Sequence, residues 1–521
     1  MPLRGTINNE NRDDGPQLAT RNSPSFYHPD PVTTVSDFAI SSVTYEYSLL
    51  IRHPADERLL LLADGDGWTL PWFRRKQRRF WQEVAHINAA VAEMLGLRAV
   101  TLRCLETHYD AAEDRVHSLY ALESLDPQWT PPAGSRWADA ADLDAISLAQ
   151  PALTAALCAW FDFQRRPLAQ IQRAAWYEPG WFAQAESWMA LALAQVGRKL
   201  IGPVIQVRSW QRSCLLRAES DAGPVFFKAA PPVFGHEPGV THALAARYPR
   251  HIPPVLARHP RRPWFLMAGV DGVSLAQRQD IDAWENAVRT FALIQIDLVG
   301  RVDGLLALGC PDRRLPGLAD QMEQLLDDST LLRSGRPAGL GGEEVEAIRA
   351  MLPDLRRKAQ RLAQIKLPQT LEHGDFWPGQ VLIVDDEEPI PVQNGGRSPA
   401  RRPSAPRSHP VFIDWSDCSI AHPFFSLNFF DDIMQMEGYL PDVPNLRERL
   451  RNAYLGPWTV YAPLADLVEA FELARPLAAI HNALIYQQSI LPGVEQGWEM
   501  HYMPAFFLKK LLRNYDRAVA V

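Results

Sequence analysis

Cysteine is scarce in this chain. There are five in 521 residues (Cys104, Cys158, Cys214, Cys310 and Cys418), an odd number with no CxxC pair. Neither a zinc ribbon nor a disulfide framework can be built from that spacing, which predicts a reduced, cytoplasmic setting. No apolar run approaches the roughly 20 residues that a membrane helix needs, so no membrane partner is expected. The opening residues, MPLRGTINNENRDDGPQ, hold no apolar core segment, so no signal peptide is expected. An excess of positive charge is missing as well. With 53 Lys and Arg against 61 Asp and Glu, the net charge is −8, the wrong sign for a chain whose main partner is nucleic acid. The Walker pattern, the Rossmann glycine run and the GxSxG elbow are absent too. A zinc helix is excluded because His236 and His242 are six apart rather than four, and Pro238-Gly239 interrupts them.

The chain is too long for one ordinary core, and its 47% hydrophobic and 22% charged residues fit a globular protein of two or three domains. Residues 1–40 are polar and rich in Asn, Asp, Pro and Ser, which reads as a disordered lead-in. From Tyr45 the runs YEYSLLIRH and RLLLLAD alternate as strands, and a helical period follows over about 80–97, ending at Gly96. A mixed α+β domain over 41–163 is the natural reading. Residues 164–203 form an aromatic helical linker, with Trp181, Trp188 and Leu191 near helical spacing. A second α+β pattern opens at Val204 with VIQVRSW, SCLLRAES and PVFFKAA, the last two joined by the turn SDAG. Helical periods dominate from Asp282 onward. The Pro/Ser/Arg-rich stretch within 385–410 cannot form a core and reads as a mobile insert.

The sharpest segment is LEHGDFWPGQVLIVDD, followed after the insert by VFIDWSD. It predicts a turn carrying His373 and Asp375, a short strand VLIV, and a second strand VFI that delivers Asp414 at its end. Paired as a hairpin, the strands would hold Asp375 and Asp414 at one end of a small sheet. Phosphoryl transfer needs such an arrangement. One carboxylate takes the proton of the attacking hydroxyl, and another holds the magnesium that neutralises the phosphates. A nucleotide also needs a cation on a rigid strand, and VFFKAA places Lys228 mid-strand, with Glu237 nine residues on at the start of a helical pattern.

HGDFWPGQ resembles the HxDxxxxN loop of the aminoglycoside phosphotransferase and choline kinase family of small-molecule kinases, and IDW resembles their metal-binding segment. The likeness covers residues 204–521. It implies a bilobal, protein-kinase-like α+β fold, with a small β-rich N-lobe over 204–270 and a large helical C-lobe over 271–521. It implies Asp375 as catalytic base, Asp414 as magnesium ligand with Gln380, and ATP and Mg2+ as cofactors. Lys228–Glu237 resembles the family's lysine–helix glutamate pair. Ser213 matches the nucleotide-loop serine, and backbone groups near Met267 to Gly269 match the hinge that meets adenine. Two positions depart from the pattern. Gln380 replaces Asn, moving the amide oxygen by about 1.5 Å, and Ser426 replaces the usual Asp after HPFF.

Residues 42–163 resemble a Nudix domain through LLLLADGDGWTLPWF and the helix ending MLGL. At its box positions only Glu93 survives, with Glu83 further up, and one carboxylate cannot hold the metals. A catalytically silent Nudix-like α/β/α domain is therefore expected. Two functions stay open. One is an ATP-dependent phosphotransferase acting on a hydroxyl or amine of a small molecule. The other is a catalytically inactive, kinase-like nucleotide-binding regulator. For the acceptor, Glu469, Glu472, Glu495 and Glu499 would suit a polycation, and Trp458, Tyr461, Trp498 and Tyr502 a quaternary ammonium group. Oligomeric state is not legible.

Overall fold

The computed structural model describes residues 43–149, 152–164, 172–314, 318–334, 338–386, 408–437, 443–495 and 498–518. The lead-in expected over 1–40 and residues 387–407 of the expected insert lie outside these. The chain divides into two compact units. One comprises the residues up to Ser187 together with Val204–Arg217, and the other comprises Trp188–Pro203 together with Ala218 onward.

The first unit is built on a mixed sheet. Its spine is a parallel pair, Thr44–Arg52 with Arg115–Ser124, in register from Thr44 opposite Arg115 to Arg52 opposite Glu123. Leu59–Asp64 and Ala99–Asp110 flank the spine antiparallel. The strand pattern puts Leu49, Leu50 and Ile51 all at full burial, as expected of a strand covered on both faces. One face packs on the helix Ala152–Gln164 through Leu157, Trp160 and Phe161. The helix Ala85–Leu95 ends where the sequence predicts, because Gly96 adopts a left-handed φ of 61° and its N–H caps Ala92.

The hairpin Ile205–Trp210 and Ser213–Ser220 begins in this unit. Buried Gln206 explains why. Its Oε1 accepts from the Thr101 N–H (2.9 Å) and from Asn88 Nδ2 (3.0 Å), while its Nε2 donates to the Thr101 carbonyl (2.7 Å). Ser209 Oγ adds a bond to the Leu102 carbonyl at 2.8 Å. The chain passes from the second unit to the first at Pro203/Val204 and back again at Arg217/Ala218, and the strand Ile205–Trp210 opens where the sequence places a domain start. The helix Trp181–Gln195 buries Trp181 but leaves Leu191 67% exposed, so the expected three-residue packing stripe is only partly formed.

In the second unit, Gly223–Ala229, Trp264–Ala268 and Val255–Arg258 pair antiparallel, with Lys228 opposite Phe265. Val225, Phe227 and Ala229 alternate onto one buried face, leaving Lys228 on the other. The helix Glu237–Arg247 follows, with Glu237 in its first turn. Then come the long helices Ile281–Leu298, Gly342–Gln364, Phe424–Glu437, Leu446–Trp458, Leu464–Ile485 and Met503–Ala518. Two small sheets lie among them. Val381–Asp385 pairs antiparallel with Ser408–Phe412, Val381 opposite Phe412, which is the hairpin expected around the insert. Thr370–Glu372 pairs with Ser419–Ala421. Buried Gln295 fixes the second pair to the helix Ile281–Leu298. Its Nε2 donates to the Leu371 carbonyl (2.9 Å), its carbonyl accepts from Thr370 Oγ1 (2.8 Å), and its Oε1 accepts from the Tyr454 hydroxyl.

Candidate active site

The loop from His373 to Gln380 leaves the strand Thr370–Glu372 and enters Val381–Asp385. Its shape is set by side chains that no local pattern would reveal. Phe376 is fully buried and stacks on Phe291 at 4.1 Å and on Phe430 at 5.2 Å. Gly374 has φ 77°, and a Cβ there would lie 2.2 Å from the Asp417 carbonyl oxygen, so no other residue fits. At Gly379 a Cβ would fall within 1.8 Å of the Trp377 ring, which folds back over the Pro-Gly pair.

His373 ties this loop to the segment bearing Asp414. Its ring Nε2 donates to the Ile413 carbonyl at 3.1 Å, and its backbone N–H donates to Ser426 Oγ at 3.0 Å. The Trp415 ring lies 4.7 Å from the imidazole. Burial pulls the His373 pKa below its ordinary value despite the nearby Asp414 and Glu372 charges, which suits a neutral ring with its proton on Nε2. Ser426, the position where the family's pattern has Asp, thus still supplies an acceptor to the loop.

Four sequence-predicted residues meet at this point with Asp375. The Lys228 ammonium donates to Glu237 Oε1 and to Asp414 Oδ1, both at 2.6 Å. Asp414 Oδ1 also accepts from Ser416 Oγ at 2.8 Å. Gln380 Nε2 donates to Asp375 Oδ2 at 3.1 Å and reaches Asp414 Oδ2 at 3.5 Å. Lys228 and Asp414 lie 186 residues apart in the chain, so folding alone makes this contact. Asp414 itself sits at φ 62°, a left-handed conformation that Asp tolerates better than most residues and that concentrates at functional sites.

Electrostatics follow burial. The Lys228 side chain is 8% exposed and that of Glu237 1%. Burial disfavours the Lys228 ammonium, but Asp414 and Glu237 outweigh it and raise its pKa, so it stays charged. Burial pushes Glu237 up to about 7, against the pull of Lys228.

The donor set can be tested against a magnesium ion. Asp375 Oδ2 and Asp414 Oδ2 converge on one amide nitrogen of Gln380. Turning that amide about its terminal bond replaces the nitrogen by Oε1, giving three oxygens of the hard type that Mg2+ prefers. The residues present therefore fit the ion.

The other expected site residues make their own contacts. Ser213 belongs to the first unit, where its Oγ accepts from Trp210 Nε1 at 3.0 Å. Met267 lies within the sheet, opposite Phe226 on one side and Val255 on the other. The Ala268 and Gly269 N–H groups donate to the Pro254 and Pro224 carbonyls, at 2.9 and 2.7 Å. Among the acceptor candidates, one is corrected. Trp458 is fully buried against Phe424 and cannot cage a ligand. Glu469 is held by Arg361 at 2.7 Å, and Glu472 lies 3.8 Å from Arg451. Ser416, which the sequence reading passed over, could have been found from its place two residues after Asp414, where a hydroxyl readily bonds a neighbouring carboxylate.

Elsewhere, Glu93 is exposed and 3.5 Å from Arg75, while burial raises the Glu83 pKa. Among the described residues, Asp110, Glu113 and His117 bring ligand atoms within 4.8 Å of one another on the first unit's hairpin. His117 there faces Glu46 at 3.0 Å and Glu113 pairs with Arg115 at 2.8 Å, so the group is salt-linked and stands outside the Asp375–Asp414 cluster.

No family model matches this chain, and no curated protein matches it. Solved structures do align with it. An ethanolamine kinase from Plasmodium vivax is 10% identical, covers 61% of this chain and 84% of its own, and has a TM-score of 0.40. A choline kinase from Cryptosporidium parvum is 13% identical over 61% and 90%, with a TM-score of 0.41. A choline kinase from Streptococcus pneumoniae is 10% identical over 64% and 99%, again with 0.41. At this level of similarity the functional reading rests on the site's own geometry. No helix among the described residues is long and apolar enough to cross a membrane.

Proposed function

We propose that this chain is an ATP-dependent phosphotransferase acting on a hydroxyl group of a small molecule. The observation that carries the reading is the Lys228 ammonium held between Glu237 and Asp414, with Gln380 linking Asp414 to Asp375. A cation fixed by two carboxylates is oriented before any ligand arrives, and preorganised charge is what phosphoryl transfer asks of a protein.

In this reading Asp375 accepts the proton of the attacking hydroxyl. It is half-buried, and its Oδ2 accepts from Gln380 Nε2. Asp414 and the Gln380 amide oxygen would hold magnesium, which when bound with ATP neutralises the phosphates and the leaving ADP oxygen. Lys228 turns its ammonium toward the phosphates, while Glu237 keeps it in place. The acceptor oxygen forms a bond to the γ-phosphorus, the bond from that phosphorus to the β–γ bridging oxygen breaks, ADP leaves, and the proton rests on Asp375. Met267 to Gly269 would meet adenine through groups other than the N–H of Ala268 and Gly269, which the protein already uses. In this reading residues 42–163, taken as Nudix-like, would serve packing or ligand sensing rather than hydrolysis, with Glu93 exposed and Glu83 off the helix.

The test is magnesium-dependent ADP formation against a panel of hydroxylated metabolites. Wild type is expected to turn over at least one acceptor, with Asp375→Asn slowed by about 10²- to 10⁴-fold. Equal rates in the two proteins would sink the assignment. A second reading, an inactive nucleotide-binding regulator, is favoured by the Gln380 nitrogen standing between the two carboxylates. It expects nucleotide binding without turnover and with little need for magnesium.

A further inference from the structure

A cavity of about 970 Å³ lies in the second unit, walled by the segment Asp312–Arg314 and by the helices Gly342–Gln364 and Leu464–Ile485. Its lining mixes apolar side chains, Leu318, Leu367 and Leu484 among them, with polar and basic ones. Asp312 is the one acidic residue, and it is taken up by Arg314. Arg356 also faces the cavity and bonds Glu323 at 2.8 Å. Arg313 differs from both. It is half-buried, and among the described residues no carboxylate comes within ion-pair distance of its guanidinium. Asp417 and Glu372 are felt only as charges that oppose its desolvation. Arg313 lines the cavity, and a guanidinium without a paired anion is a vacant half of an ion pair.

Two further groups point the same way. His422 is 1% exposed, and its Nδ1 accepts from the Phe424 N–H at 3.3 Å, so the ring proton sits on Nε2. That Nε2–H is buried and has no acceptor among the described residues. Burial holds the His422 pKa down, to about 3, which keeps the ring a neutral donor. Gln369, also on the lining, has a buried Oε1 with no donor among the described residues. A buried donor and a buried acceptor left unmet each cost free energy, and a ligand able to meet both would recover it. At one side of the cavity the helix Leu464–Ile485 runs into a π-helical turn, Tyr486–Ile490, from which Gln488 faces the cavity. Such turns recur at functional sites.

We infer that this cavity is a binding site for a hydroxylated anion, with Arg313 taking a phosphate or carboxylate and His422 and Gln369 bonding the adjacent hydroxyls. Arg313 supplies the charge, the Nε2–H of His422 donates to an oxygen, and Gln369 Oε1 accepts from a hydroxyl. The site stands whether or not the chain turns over ATP, because its residues are not those of the Lys228–Asp414 cluster. Its ligand is of opposite charge to the polycation or quaternary ammonium group that the helical region's acidic and aromatic residues had suggested.

Calorimetric titration of the full chain tests this with three probes: glycerol 3-phosphate, glycerate and glycerol. Saturable binding of glycerol 3-phosphate or glycerate is expected, whichever is tighter naming the anionic group, with glycerol binding at least tenfold more weakly. Arg313→Gln should weaken that binding at least tenfold, the scale of one charge-assisted hydrogen bond. Gln369→Leu, which removes no charge, should weaken it severalfold and covers the case in which the arginine variant does not fold. Excess ATP with magnesium should leave it unchanged, separating this site from phosphate bound at the nucleotide cluster. Absence of saturable binding by either anion, equal binding of glycerol, or loss of binding in excess ATP would overturn the inference.

Discussion

Replacing Lys228 by Met removes a cation from between two carboxylates without much change in volume. The Lys228 and Glu237 side chains are 8% and 1% exposed and in contact at 2.6 Å, so solvent and salt screen them little. At an effective dielectric of about 20, their gross attraction is on the order of 6 kcal/mol. Desolvation offsets most of that, but the single substitution leaves Glu237 buried without its cation, which costs about 3–5 kcal/mol. The Glu237→Met variant should cost a similar amount by stranding the ammonium on Asp414 alone. The double variant should not cost the sum. An apolar pair of similar volume commonly recovers most of the loss, so a coupling energy of at least about 2 kcal/mol is expected. Urea denaturation of wild type, both single variants and the double variant, followed by tryptophan fluorescence, reads this directly. Singles that each cost less than about 1 kcal/mol, or that add without coupling, would refute the reasoning that these groups act as one buried electrostatic unit.

Three other outcomes follow from the geometry. Gly374→Ala places a Cβ 2.2 Å from the Asp417 carbonyl at a φ of 77°. It should destabilise the second unit by about 2 kcal/mol or more, seen as a lower Tm, and an unchanged Tm would contradict the close approach. Gln380→Asn shortens the amide that links Asp375 and Asp414. In the kinase reading it should change the magnesium concentration needed for half-maximal activity severalfold, whereas unchanged dependence would remove Gln380 from the metal site. His422, held down to about 3, stays neutral in the folded state while the unfolded ring titrates near 6.5. Its contribution is therefore complete above pH 6.5 and lost as pH falls toward 3, at about 1.4 kcal/mol per pH unit. Between pH 7 and 5, wild type should lose about 2 kcal/mol more stability than His422→Gln, and equal losses would show that the ring is not held neutral.

The hairpin around the insert was legible because its information is local. VLIV and VFI are short apolar strands, with Asp375 in the turn before the first and Asp414 just past the second. The Lys228–Glu237 contact was legible for the same reason, a strand cation followed at short range by a helix-start acid. What the sequence could not show lies between segments far apart in the chain. Gln206 reads as one polar residue in a strand, and only its bonds to Asn88 and Thr101 reveal why the hairpin begins in the first unit. Trp458 looks like a candidate aromatic cage wall until Phe424 is seen packed on it. At the expected hinge, Met267 to Gly269, the sequence does not show that the N–H groups of Ala268 and Gly269 donate to the Pro254 and Pro224 carbonyls. Arg313 carries no signal in the sequence, since a lone arginine between Asp312 and Arg314 reads as surface. Its interest comes from the cavity and from the carboxylates it does not reach.

The central claim is that Asp414, Gln380 and Lys228 form a magnesium–nucleotide site beside Asp375. Titration of ATP into the full chain by calorimetry, with magnesium and then with EDTA, measures it most directly. ATP is expected to bind at least tenfold more tightly with magnesium, and Asp414→Asn should abolish that difference, since it removes a carboxylate from the metal. Affinity that is the same in magnesium and EDTA, and unaltered in Asp414→Asn, would contradict the account.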